Sequence, residues 1–357
     1  MNSAFLNLIT MQIKEFFREP ETLFWAVLFP VALAGILGVA FTQQDQMKRR
    51  VGVLEDRPGA AAPMLAAWTD PVPVTPGKGA REARFDFQKY PLRADAIRAL
   101  QRGEINLFLE PAPGSAQPCY HFDVKNPEGQ LTYLLLEQAR LRRSGALKDE
   151  CVQPLVAPGT RYIDFLIPGL VAMGILNSSI WGIGWALIER RMKKLLRRMV
   201  ATPMKRYQFF LSFFITRLAL SIFEFLVLYL FAAFAFGVRI QGSLAAFALV
   251  FLCGNLAFGG VAVLMASKTD NSQVGNGLLN AITIPMMILS GIFFSYEHFP
   301  GWMIPVVKVL PLTVLADAFR KVFIEGAGTM TVLAPCGLLL VCGALCFAVG
   351  QKIFKWY

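Results

Sequence analysis

Residues 165–188 read FLIPGLVAMGILNSSIWGIGWALI, and the next 20, residues 189–208, read ERRMKKLLRRMVATPMKRYQ. The first stretch is 24 residues without a charge, and the second carries eight Lys and Arg against one Glu. A bilayer-crossing helix needs about 20 mostly apolar residues, because the hydrocarbon core is about 30 Å thick and each residue rises about 1.5 Å. Residues 165–188 are therefore expected to cross a membrane. A short loop so rich in Lys and Arg is expected on the cytoplasmic side. Class and orientation are both read from this one junction.

Four further uncharged runs of comparable length surround it: 23 residues from Thr22 to Gln44, 28 from Ile240 to Ser267, 26 from Asn271 to Tyr296 and 26 from Gly326 to Gln351. Tyr207–Val238 is equally apolar but holds Arg217 and Glu224. Composition agrees: 55% of the 357 residues are hydrophobic and 17% charged, where soluble domains carry about 45–50% and about 25%. This excludes disorder and a collagenous or disulfide-scaffold class, and argues against a wholly soluble enzyme. The expected fold is an α-helical polytopic membrane protein with six transmembrane helices and an inserted small α/β extracytoplasmic domain. Transmembrane helices are expected at 21–44, 161–188, 209–238, 243–267, 271–296 and 329–351, with both termini cytoplasmic and a short tail at 352–357.

Residues 1–20 precede the first span. Within Ser3–Arg18, Phe5, Ile9, Ile13 and Phe16 recur at helical spacing among polar residues, so an interfacial amphipathic helix is expected there, turning into the bilayer at Pro20. The first apolar run is too long for a signal peptide and no small-residue cleavage site ends it. Lys48–Arg50 lie just outside that span and oppose the orientation. They open a long segment, which translocates largely regardless of charge.

Residues 45–160 read as that inserted domain, with 16 Lys and Arg nearly balanced by 14 Asp and Glu. Val51–Leu54, Ile105–Leu109 and Tyr120–Val124 are expected as strands, Leu92–Gln101 and Gln130–Arg143 as helices, and Pro71–Gly79 as a loop. A disulfide between Cys119 and Cys151 is compatible with an oxidising compartment. The other four Cys lie in spans as small apolar side chains. There is no metal-ligand spacing, no phosphate loop and no His-based nucleophile arrangement among only two His. Active transport would draw its energy from an ion gradient or another subunit.

The basic loop is patterned as well as charged. Met192, Leu195, Leu196 and Met199 underlie the cations of Arg190–Val200, which predicts an amphipathic helix broken at Ala201-Thr202-Pro203, with a restart from Met204. On charge alone this is also what a topology-fixing loop looks like. Further along, 297–325 is expected as a re-entrant or outer segment. Its apolar stretch His298–Leu315 is cut by Pro300, Pro305 and Pro311, which makes it too broken to span, and Trp302 suits an interfacial anchor. Arg217 and Glu224, seven residues apart, share one face of the third span. Arg217 is within reach of the interface by snorkelling. Glu224, with Asn177, Asn255, Asn276 and Asn280, is the candidate lining of a path; such polar groups also join helices.

Glu189–Met204 resembles the E-R-x-x-G-T-L-x-x-L-x-x-T-P segment of the membrane subunits of type-2 ATP-binding-cassette exporters, with Lys193-Lys194 where the family has Gly-Thr. A second block, Asn276, Pro285, Leu289–Phe294, Phe299-Pro300, Trp302, Pro311–Thr313 and Asp317–Arg320, is similar to the family's N…P…LSGIFFP…P-x-W…PLT…D-A-x-R pattern. The resemblance implies a permease subunit in a bacterial inner membrane, working beside a second permease, identical or related, and two copies of a cytoplasmic ATPase that bind ATP and Mg. This chain itself would hold no cofactor. It implies a coupling helix on which Arg197, Arg198, Met199, Thr202, Pro203 and Met204 meet the ATPase, with Ser3–Arg18 as the connecting helix beside it. It also implies an amphipathic, lipid-like, drug or peptide substrate. Membrane lipids are expected partners, an outer partner on residues 45–160 fits, and nucleic acid does not. An ion-gradient transporter and a membrane sensor or anchor remain the alternatives.

Overall fold

A computed structural model describes residues 3–42, 46–55, 72–73, 82–102, 104–110, 119–123, 126–143, 161–196 and 206–354. The chain divides into two units, 1–42 with 157–357 and 43–156.

In the first unit the uncharged runs form helices, because a backbone without water as partner satisfies its polar groups internally. The amphipathic helix α1 covers Ser3–Arg18, with Phe5, Gln12 and Phe16 buried. Among the described residues, five helices are long and apolar enough to cross a membrane: α2 (Pro20–Phe41), α5 (Tyr162–Met192), α6 (Tyr207–Phe236), α7 (Leu244–Ala266) and α11 (Thr329–Ile353). Between the last two lie α8 (Ser272–Leu289), α9 (Ile304–Val309) and α10 (Pro311–Phe323). The helix expected over 271–296 is thus only 18 residues long. Gly291, at φ 68°, takes the left-handed conformation that ends helices and turns the chain.

The central helix is α5, apolar on all sides and buried along most of its length, as expected of a helix enclosed by others. It packs against α2, α6, α7 and α10. Residues Ile180–Trp185 within it are π-helical, and a second π-helical turn, Phe24–Leu28, interrupts α2. Such turns widen a helix locally and are frequent at functional positions. Large apolar side chains point outward around the unit, among them Ile36, Phe234, Val341 and Leu345. Outward apolar surface on this scale suits lipid.

The second unit holds a five-stranded sheet in the order β2-β3-β1-β4-β5, built from β1 (Gln46–Leu54), β2 (Val72–Pro73), β3 (Glu82–Tyr90), β4 (Leu107–Glu110) and β5 (Cys119–His121). Strand β1 runs parallel to both neighbours, with Gln46 opposite Glu82 and Val51 opposite Leu107, while β2 and β5 close the edges antiparallel. Helices α3 (Arg93–Gln101) and α4 (Pro127–Arg143) belong to two separate apolar clusters. Val51, Val53, Leu107 and Leu109 pack with Leu136 and Ala139 of α4. Leu54, Ile105 and Phe108 pack with Ala96 and Ala99 of α3. Arg49 pairs with Glu128. The alternation of Phe85 and Phe87 marks β3, a strand missing from the sequence reading. Cys119 is exposed, and Cys151 lies outside the described residues.

Candidate functional site

Three polar constellations stand out in the helical unit. The first lies between α5 and α6. One face of α6 presents Arg217, Ser221, Glu224 and Leu228, spaced by helical turns. The Arg217 guanidinium lies on Gly182, in the π-helical turn of α5, where a Cβ would collide with it. It is half-buried against α5, where Gly182 leaves room for its planar head. One turn away, Ser221 Oγ donates to Ser178 Oγ at 3.3 Å and Ser178 Oγ donates to Glu224 Oε1 at 3.4 Å. Glu224 is 8% exposed. No direct ion pair joins Arg217 and Glu224 among the described residues.

Glu224 borders a small cleft, with a cavity volume of about 20 Å³, whose other walls come from α2, α5 and α7. The asparagines are dispersed and do not line it. Asn177 is half-buried. Asn255 is buried and donates through Nδ2 to the Phe251 carbonyl at 2.9 Å, with its Oδ1 unpartnered. On α8, Asn276 is exposed and Asn280 half-buried.

The second constellation fixes the Pro-broken segment. Pro300 and Trp302 are exposed, Pro305 opens α9 and Pro311 opens α10. Proline suits these first-turn positions because its missing N–H has no intrahelical partner there. Arg320 of α10 donates through Nη1 to Asp317 Oδ1 at 3.0 Å and through Nη2 to the Gly291 carbonyl at 2.5 Å. Its guanidinium stacks 3.8 Å over the Phe165 ring of α5. Tyr296 donates to Asp317 Oδ2 at 2.9 Å, and Tyr162 donates to the Phe293 carbonyl at 3.0 Å. Burial and the neighbouring Asp317 push the Tyr296 phenol up to about 12, so it stays a donor. The turn after α8 is thereby clamped between α5 and α10. Arg320→Ala is expected to lower stability by about 3 kcal/mol, since it leaves Asp317 and a buried carbonyl without their cation. Tyr296→Phe should cost about 1 kcal/mol, as for one neutral donor. Equilibrium unfolding in detergent measures both.

The third lies at the end carrying the basic loop. Arg190 reaches Glu15 of α1 at 3.4 Å and stacks 4.5 Å over Phe213 of α6. Arg191, 8% exposed, donates to the carbonyls of Ala266 at 2.6 Å, Thr269 at 2.6 Å and Ser267 at 3.0 Å. It also stacks 4.6 Å over Phe354, beyond the end of α11. Two cations counted in the cytoplasmic basic loop are therefore structural ties. The helix expected from Arg190 begins as the last turn of α5 and breaks at Lys193-Lys194, where Lys194 has φ 54°. A non-glycine residue adopts that conformation only in a turn. Arg197, Arg198, Met199, Thr202, Pro203 and Met204 lie outside the described residues. Sequence reading did not find Arg191 or the Arg320 clamp as units; for the latter, Asp317 and Arg320 at helical spacing were the available signal.

The profile of the ABC-2 type transporter family matches residues 133–324, more than half of the chain. The chain belongs to the ABC-2 type transporter family. It is a type-2 ABC permease and a multi-pass membrane protein. Among curated proteins, it is 23% identical to the probable multidrug ABC transporter permease YbhS of Escherichia coli (strain K12), over 95% of this chain and 93% of the relative. It is 22% identical to the linearmycin resistance permease protein LnrN of Bacillus subtilis (strain 168), over 50% of this chain and 46% of the relative. ABC transporter G family member 20 of Dictyostelium discoideum is 23% identical over 68% of this chain. The match spans only 37% of that protein's length.

Proposed function

We propose that this ABC permease is one half of the membrane part of an ATP-driven exporter, and that a separate ATPase pushes on residues 197–204 from the cytoplasm. The observation that carries the reading is the pair Arg190 and Arg191. Through them the start of the basic loop is tied at once to α1, α6, the loop after α7 and Phe354. A displacement applied to the loop would reach several helices, as coupling through packed, discrete contacts requires. Two copies of the ATPase would bind ATP and Mg, and a second permease, identical or related, would complete the pathway. In this reading α8 crosses as a short sixth span, both termini are cytoplasmic, and residues 45–160 face the opposite side as an α/β domain. The names of YbhS and LnrN favour drug-like or antibiotic cargo.

The test is a replacement of residues 197–203 by a Gly/Ser linker of equal length. Co-purification of the ATPase should drop at least tenfold, with the permease still folded. An ATPase retained at wild-type level overturns the docking site. Transport that persists without any ATPase and collapses with the proton gradient overturns the ATP-driven reading.

A further inference from the structure

The Glu224 cleft has a chemistry that neither family membership nor the coupling end explains. The carboxylate sits near the middle of α6, 8% exposed, and its hydrogen-bond donor among the described residues is one hydroxyl, that of Ser178, at a long 3.4 Å. Among the described residues no cation comes within ion-pair distance of it, Arg217 acting only from farther along the same face of α6, and Oε2 has no donor. Ser178 in turn receives Ser221, so the hydroxyl chain ends on Oε1 and leaves Oε2 to the cleft. Charges at membrane depth are costly and are kept where they meet a partner or a cavity.

The walls around this carboxylate are apolar and aromatic. Leu170 and Ile175 come from α5, Phe225 and Leu228 from α6, and Phe251 from α7. Phe225 and Phe251 lie 5.9 Å apart between centroids. Aromatic faces attract organic cations, most strongly when those cations are desolvated, as alkylammonium groups readily are. The remaining wall is α2, which contributes Ala26 and Val27 from its π-helical turn. That helix is little buried, with Phe24, Trp25 and Leu28 all turned outward. An amphiphile dissolved in the bilayer would thus find one carboxylate at the back of an apolar cleft flanked by lipid-exposed surface.

We propose that the cleft between α2, α5, α6 and α7 is a binding site for the cationic head of a lipophilic amine, with Glu224 as its counter-ion and Phe225 and Phe251 as its aromatic walls. An anion would meet the carboxylate. A neutral polar head would find Oε2 and the Ser221 hydroxyl as partners but would leave the charge of the carboxylate unbalanced. The inference deepens the export reading by naming the charge and polarity of the cargo, and it rests on that reading only for the cargo's fate after binding.

The test is equilibrium binding of radiolabelled dodecyltrimethylammonium to the full-length chain in sugar-headed detergent, free of lipid amines, with the uncharged tert-butyl isostere as reference. Glu224→Gln should raise the Kd for the cation at least tenfold, Glu224→Asp less than threefold, and the isostere should bind all three proteins alike. Val27→Trp, which fills the mouth and leaves the carboxylate in place, should weaken the cation at least fivefold. That variant keeps the test open if Glu224→Gln does not fold. Displacement of the probe by added phosphatidylethanolamine assigns the site to a lipid amine, and its failure assigns the site to a free amphiphile; both uphold the cation site. Cation affinity unchanged in Glu224→Gln, or in Val27→Trp where Glu224→Gln does not fold, overturns it. The ATPase is not in this assay. A failed cation site therefore leaves ATPase docking standing, and a failed docking site leaves cation binding standing.

Discussion

Gly343→Val is expected to lower the stability of the helical unit by about 3 kcal/mol or more, while Gly337→Val, six residues earlier on the same helix, should change it by less than about 0.5 kcal/mol. The difference comes from what a Cβ would meet. At Gly343 it would lie 2.5 Å from Ala257 Cα and 3.2 Å from the Leu256 carbonyl oxygen, both backbone atoms of α7. At Gly350, two turns on, it would lie 2.8 Å from Leu264 Cα. From the other side, a Cβ on Gly260 would fall on the Gly343 carbonyl. Helices α7 and α11 therefore touch backbone to backbone along two turns. Between helices in lipid there is little hydrophobic drive, so close packing of small residues supplies the attraction. A valine must push the two backbones apart, and the loss spreads along the whole contact because dispersion falls steeply with distance. A Cβ on Gly337 meets nothing within 4 Å. Unfolding of the purified variants in a denaturing-detergent titration separates them. Equal stability of the two valine variants would rule out the backbone contact.

These glycines show where sequence reading stops. A uniform apolar run reports that a helix crosses, and its glycines report where another backbone can come close, but neither names the partner. Amphipathic elements were more legible. The Phe5 and Phe16 spacing in α1 encodes which face is buried, and two helical turns between Arg217 and Glu224 put both on the face that meets α5. The length of α8 was misread because counting charges is blind to backbone conformation. The run Asn271–Tyr296 has no charge, yet Gly291 turns the chain after Leu289. Strand β3 carries the period-two signature of Phe85 and Phe87 and was passed over beside a Pro- and Gly-rich stretch. In the sequence Arg190 and Arg191 read only as part of the basic loop, because most of their partners leave no side-chain signature there. The acceptors of Arg191 are main-chain carbonyls of residues 266–269, about 75 positions away.

That tie carries the second large effect. Arg191→Ala is expected to lower stability by about 3–5 kcal/mol, the range for removing the charged partner of a buried set. Two of its acceptors, the Ala266 and Ser267 carbonyls, lie at the C-terminus of α7, where helix carbonyls lack intrahelical donors and the dipole end is negative. One guanidinium satisfies both and the Thr269 carbonyl besides, because its fork presents several donors in a fixed plane. Lysine offers a compact charge with no such fork, so Arg191→Lys should recover only part of the loss and remain about 2 kcal/mol below the wild type. The lysine variant then separates stability from coupling. Residues 197–204 are untouched in it, so the ATPase should still co-purify. The loop after α7 and the end of α11 would no longer be held to the start of the basic loop, so substrate stimulation of ATP hydrolysis should fall several-fold. If Arg191→Lys folds, binds the ATPase and keeps full stimulation, force does not travel through Arg191, and the path from ATPase to helices must run instead through Arg190, Glu15 and Phe213.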